Sequence, residues 1–152
     1  MRRYAVLATL LAVACGHGSQ TPVPQTLSQA LDQFLAAVKA NDLNRMGQLW
    51  GNQDGPAVEW MTPDRLRMHL TGMQIYLNHT GYRVIEGPVA PPGNDKIRTF
   101  RVELQRSDCN HVQPIDLMQT KRGSWIVFDA HVEAAGNPAR GCQPGGGAGN
   151  RQ

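Results

Sequence analysis

The stretch Ile97-Arg-Thr-Phe-Arg-Val-Glu-Leu-Gln-Arg106 decides how this chain folds. Phe100, Val102 and Leu104 alternate with Arg101, Glu103 and Gln105. Successive side chains of an extended strand point to opposite faces, so the pattern describes a strand with one apolar and one polar face. The same period of two continues on both sides. Upstream, Tyr82–Val89 reads as a strand closed by Pro88 and the breaker run Ala90-Pro91-Pro92-Gly93-Asn94. Downstream, Val112–Thr120 reads as a third strand, with Pro114 marking an edge or bulge. Lys121-Arg122-Gly123-Ser124 is a hairpin turn, and Ser124–Ala134 is the fourth strand. In that strand Ile126, Phe128, Ala130 and Val132 form the more apolar face, expected to meet the rest of the core. Trp125, Val127, Asp129 and His131 lie between them.

Before Gly81 the period is helical. Thr26-Leu-Ser-Gln29 fits a capping box, a hydroxyl at the cap and an amide three residues on. Leu27, Leu31, Phe34, Leu35 and Val38 then form one stripe of a helix running to about Ala40. Asn41-Asp42 breaks it and caps a short second helix, with Leu43, Met46, Leu49 and Trp50 on one side and Gly51 as its stop. Asn52–Ala57 reads as a loop. Thr62-Pro63-Asp64 starts a third helix, with a hydroxyl cap, proline in the first turn and an acid at the positive end of the dipole. Leu66, Leu70, Met73 and Leu77 form its stripe, and it ends near Asn78. Three single-striped helices followed by a four-stranded meander make an α+β domain with the helices packed on one sheet face.

The chain opens Met-Arg-Arg-Tyr-Ala-Val-Leu-Ala-Thr-Leu-Leu-Ala-Val-Ala-Cys15. A basic start, an apolar run of about ten residues and a small-residue exit read as a cleaved export signal over residues 1–14. The run is too short for a bilayer core, which needs roughly 20 residues of helix. Leu11-Ala-Val-Ala-Cys15 resembles the lipobox of bacterial lipoproteins. The resemblance implies that the Cys15 thiol carries diacylglycerol and that Cys15 becomes the mature N-terminus. Gly16, rather than aspartate, follows it, which by the same resemblance implies the outer membrane, periplasmic side, in a Gram-negative envelope. The alternative is a secreted or periplasmic protein without lipid. Gly16–Gln25, polar and carrying Pro22 and Pro24, reads as a tether completing residues 15–25.

The mature chain is then 138 of 152 residues, one ordinary domain over 26–142, with a disordered Gly-rich tail over 143–152. Fifteen Lys and Arg face twelve Asp and Glu. Loss of Arg2 and Arg3 with the signal leaves a balance near +1, with the remaining cations in scattered pairs. Nucleic acid is not an expected partner, because it calls for a clustered basic face. Of three cysteines, Cys15 takes the lipid, leaving Cys109 and Cys142 as an even pair in an oxidising compartment. A bridge between them would stabilise by roughly 3–4 kcal/mol. Neither cysteine has a CxxC partner, His69 and His79 lack the spacing of paired helical ligands, and Cys109–His111 has no second pair. No metal and no cofactor are expected.

Leu27–Ala40, Asp42–Trp50, Thr62–Asn78 and the strands from Tyr82 to Ala134 together resemble the NTF2-like cone of ketosteroid isomerases and SnoaL-type cyclases. A cystatin-like arrangement is the competing topology. The NTF2-like resemblance implies a ligand hollow between helices and curved sheet, and dimers through the open sheet face. Asp129, His131 and Glu133 are the best constellation for such a hollow. Alternate strand positions lie roughly 6.5–7 Å apart on one face, so Asp129 could orient or abstract while His131 shuttles the proton. The favoured reading places all three toward water or a partner, because the opposite face is the greasier one. Trp50, Glu59, Trp60 and Trp125 are the candidate pocket or partner surface. No catalytic signature of the GxSxG, HExxH or P-loop kind occurs. The leading expectation is a non-enzymatic binding or accessory lipoprotein, partnered by the membrane through Cys15 and by an envelope protein or a second copy. The rival is a small enzyme or ligand binder using Asp129 and His131.

Cys15→Ser should abolish palmitate labelling and release the protein into the soluble fraction. Unchanged labelling and fractionation would refute the anchor.

Overall fold

The computed structural model describes residues 22–107 and 109–136. Residues 1–21, with Cys15, and residues 137–152, with Cys142, lie outside the described residues. The described chain is α+β. In order it forms α1 (Leu27–Lys39), α2 (Leu43–Leu49), β1 (Gly51–Asn52), β2 (Gly55–Pro56), a 3-10 turn (Ala57–Glu59), α3 (Pro63–Leu77), β3 (Gly81–Val89), β4 (Ile97–Gln105), β5 (Asn110–Gln119), β6 (Trp125–Asp129) and a second 3-10 turn (Val132–Ala135).

The capping box forms as the sequence indicates: the Thr26 hydroxyl accepts from the Gln29 N–H at 3.2 Å, and the Gln29 side chain accepts from the Thr26 N–H at 3.3 Å. Asp42 caps α2 by accepting from the Arg45 N–H at 2.9 Å. Thr62 occupies the cap position of α3, but its side chain makes no capping hydrogen bond; Pro63 and Asp64 stand in the first turn. The backbone carbonyl of Tyr76, in the last turn of α3, is met by the Arg106 guanidinium, which also donates to Ala135 O at 3.4 Å. That one side chain joins the end of the helix to the second 3-10 turn.

The expected loop after α2 instead folds back on itself. Gly51 pairs with Pro56 and Asn52 with Gly55 in a two-stranded ribbon. Its tightness explains why alternation could not reveal it: each strand is two residues long. Gly55 sits at φ 146, and a Cβ there would lie 2.3 Å from an Arg122 nitrogen. The Asp54–Lys121 pair at 2.5 Å further binds the ribbon to the turn between β5 and β6. This is an exposed pair, contributing about 0–1 kcal/mol.

The main sheet has the order β3-β4-β5-β6, all antiparallel. Phe100, Val102 and Leu104 of β4 lie beside Ile115 and Leu117 of β5 on the face toward the helices. Leu31, Phe34, Leu35 and Val38 of α1, Met46 and Leu49 of α2, and Leu70, Met73 and Leu77 of α3 close over them. Gly47 on α2 makes room for the first 3-10 turn and α3: a Cβ there would stand 2.9 Å from Val58 and 3.2 Å from Leu70. The space where the cone resemblance puts a hollow is filled by these side chains.

The fourth strand departs from its expected form twice. It ends at Asp129 rather than Ala134, and its faces are reversed. Val127, fully buried, pairs with Leu117 and faces the helices, whereas Phe128 is 38% exposed. Leu117 pairs with Val127 but Asp116 pairs with Asp129, so Phe128 is an extra residue with no partner. The bulge changes the parity of everything after it. Trp125-Ile-Val-Phe128 is apolar on both faces, which is why periodicity could not choose between Val127 and Phe128.

Phe34 is completely buried beneath the sheet. Phe34→Ala should lower the unfolding free energy by about 3–5 kcal/mol in urea titration. A loss under about 1 kcal/mol would contradict the core just described.

Candidate functional site

At the end of β6 the chain turns sharply. The Asp129 carboxylate accepts from the backbone N–H of His131 at 2.9 Å, an Asx-type turn, and His131 takes a left-handed φ of 43. Gln113, fully buried on β5, donates its amide to Ala130 O at 2.5 Å and to His131 O at 2.7 Å. The second 3-10 turn follows, with Ala134 N donating to His131 O at 2.8 Å.

This turn carries the His131 ring across to the sheet face opposite the helices. There Nε2 lies 3.0 Å from Oδ2 of Asp116, Nδ1 lies 3.1 Å from Oε1 of Glu133, and Oδ2 of Asp129 is 3.9 Å from Nδ1. Thr99 of β4 donates its hydroxyl to the other Asp116 oxygen at 2.5 Å. Asp116 is the least exposed carboxylate of the group at 13%, against 52% for Asp129 and 72% for Glu133. Burial by itself would lower the proton affinity of His131. The acceptors Asp116 and Glu133, with the charge of Asp129, overcome this and raise its pKa above the ordinary value. The Glu133 carboxyl is held below its ordinary range by a backbone hydrogen bond and by His131.

Asp129, His131 and Glu133 thus do meet, though not as three alternating positions of one strand. Asp116 and Thr99 escaped the sequence reading. Asp116 was visible as a lone carboxylate in Pro114-Ile-Asp-Leu-Met118, but its pairing with His131 depends on the bulge. The chemistry of the group is restricted. Thr99 gives its proton to a carboxylate rather than to the imidazole, so it is not an activated nucleophile. Both ring nitrogens of His131 face carboxylates, which suits a held imidazolium better than a general base.

On the other side of the same turn lies an open cleft of about 450 Å³ between α3 and the end of β6. Trp50, Met68, Tyr76 and Phe128 form much of its wall, with His69 and Asp129 as polar members. Trp50 is half-buried, its ring 6.1 Å from that of His69. Met68 is 66% exposed.

The other sequence candidates stand elsewhere. Glu59, considered for a pocket mouth, is an exposed residue paired with Arg122 at 2.5 Å. Trp60 is 48% exposed and donates its indole N–H to Gly55 O at 3.2 Å. Trp125 packs half-buried against the core, and its backbone N–H meets Pro24 O at 3.2 Å, so the end of the sequence-assigned tether lies against β6. Cys109 is disulfide-bonded, with its partner outside the described residues. His79 is buried, with Nδ1 donating to Leu77 O at 2.9 Å; burial, then the nearby Lys39 and Arg106, lower its pKa. His111 is likewise lowered, by burial first and Arg106 second. Among the described residues no group of three or more His, Cys, Asp and Glu is arranged to hold a metal ion. Among them, too, no helix is long and apolar enough to cross a membrane.

No protein-family model matches the chain, and neither does any curated protein or solved structure.

Proposed function

We propose that this chain is an exported, lipid-tethered binding module that holds a small apolar or aromatic group bearing a positive charge in the cleft between α3 and the end of β6. The observation that carries the reading is the wall of that cleft, where Trp50, Tyr76 and Phe128 stand with Asp129, whose carboxylate is 52% exposed. Its volume of about 450 Å³ falls within the size of small-molecule sites, roughly 300–1,000 Å³. Aromatic faces attract cations, worth about 0.5–2 kcal/mol each, and a carboxylate adds a directed partner. Met68 and Met73 supply walls that adapt to irregular shapes.

The tether half of the reading comes from the lipobox-like Leu11–Cys15 and the short apolar leader. Helices first, then a four-stranded meander, support an NTF2-like arrangement. In such a domain the ligand would ordinarily enter the hollow beneath the sheet. Here Phe34, Phe100, Ile115 and Leu117 occupy that space, so the binding position moves to the rim. A binding role also fits the polar group on the opposite sheet face, which lacks an activated nucleophile.

Phenethylamine and 3-phenylpropionate share a ring and differ in charge, so they test the cleft through Trp50 fluorescence or calorimetry. The amine should bind more tightly than the acid, and Asp129→Asn should weaken the amine about tenfold, or 1.4 kcal/mol, without affecting the acid. Equal binding of both probes, or none of either, would refute the reading.

A further inference from the structure

The turn that forms one wall of the cleft is also the turn that carries His131. Asp129, Ala130 and Val132 line the cleft on one side, while the ring of the intervening His131 reaches the opposite sheet face. Fixing that ring therefore fixes the wall.

Its fixation depends on a proton. Nε2 faces Asp116 at 3.0 Å and Nδ1 faces Glu133 at 3.1 Å. A neutral imidazole has one N–H, so it can satisfy only one of these acceptors. The other contact then sets a nitrogen lone pair against a carboxylate oxygen. Both contacts are favourable only in the imidazolium form. Asp116 is in turn held by the Thr99 hydroxyl, which keeps one of its oxygens turned away and the other toward Nε2. Every charged group described around the ring is acidic: Asp116 from β5, Asp129 from the end of β6 and Glu133 from the 3-10 turn. Beside them β4 contributes the neutral Thr99. His131 also keeps a left-handed backbone conformation, uncommon outside glycine, although histidine adopts it more readily than most side chains. Its side-chain contacts and the Gln113 clamp hold it there.

The geometry points to a proton-operated clasp: doubly protonated His131, gripped between Asp116 and Glu133, orders the Asp129–Val132 wall, so the cleft holds its ligand at mildly acidic pH and releases it as pH rises. The ligand half of this inference rests on the binding reading above; the ordering half does not. The direction follows from linkage. The His131 pKa is raised in the folded protein, so the clasp's contribution is complete below the unfolded value of about 6.5 and is lost as pH climbs through the folded value. At strongly acidic pH, where the carboxylates take up protons, the clasp also weakens. Gln113 continues to hold the turn when the clasp opens, so the expected change is loosening of the wall rather than unfolding.

The test uses the full chain and two readouts that need no ligand. Histidine NMR follows the titration of His131, and amide exchange of Ala134, whose N–H is bonded to His131 O, follows the wall. The third readout is phenethylamine affinity over about pH 5.5–8.5, where the amine stays charged. His131 should titrate above its ordinary value. Ala134 exchange, corrected for the intrinsic base-catalysed rate, should speed up about tenfold as His131 loses its proton. Phenethylamine should weaken about fivefold across the same step, the loosened wall outweighing the relief of repulsion between the imidazolium and the amine at the exposed Asp129. His131→Asn, which tolerates the left-handed backbone, should remove both pH dependences. Asp116→Asn should lower the titration of His131 and shift the other two readouts with it. A His131 titration at or below the ordinary value would overturn the clasp. So would pH dependence that survives in His131→Asn, which would place its origin outside His131. Absence of phenethylamine binding at every pH would overturn the cleft reading alone, with the clasp still decided by the first two readouts.

Discussion

One extra residue in the last strand organises the functional end of this molecule. Had β6 continued in register from the Leu117–Val127 pair, Asp129 would stand opposite Ile115 and His131 opposite Gln113, on the face packed against the helices. A carboxylate and an imidazole there would be desolvated in a closed apolar core, at a cost of several kcal/mol each. Phe128 absorbs one position without pairing, so Asp129 pairs with Asp116 and the His131 ring comes out against Asp116 on the opposite face. The bulge lets an apolar strand end in a polar cluster without burying it.

The same device creates the cleft. Phe128, released from the ladder, turns its ring to the rim, where α3 supplies Met68 and Tyr76 and the end of α2 supplies Trp50. The binding wall and the proton-sensitive cluster are therefore two sides of one turn. Their coupling needs no long-range pathway, only the short backbone segment Asp129–Val132. Arg106 adds a second tie, joining the carbonyl of Tyr76 in α3 to that of Ala135 in the 3-10 turn that follows the wall.

The architecture was legible where local signals were strong. Thr26 with Gln29, Asp42 before Leu43 and Pro63 after Thr62 marked helix starts, and the stripes Leu31–Val38 and Leu70–Leu77 marked their buried faces. Alternation in Ile97–Gln105 oriented β4 correctly. Legibility failed where the sequence is apolar on both faces, as in Trp125–Phe128, and where an element is too short to alternate, as in the ribbon at Gly51–Pro56. The exposure of Asp129 and Glu133 was expected on the ground that Ile126 and Phe128 face the helices. The structure reaches the same exposure with Val127 facing the helices and a bulge beyond it. The partners Asp116 and Thr99 could not be read from the chain, because they depend on the register between three strands.

The account turns on the bulge bringing His131 against Asp116. A double-mutant cycle with Asp116→Asn and His131→Asn, measured by urea unfolding near pH 6, tests that placement most directly. Residues in one hydrogen-bonded pair should show coupling of about 0.5–3 kcal/mol, fading as the pH rises and His131 loses its proton. Two additive substitutions, or a coupling indifferent to pH, would contradict the placement and with it the link between the polar cluster and the cleft.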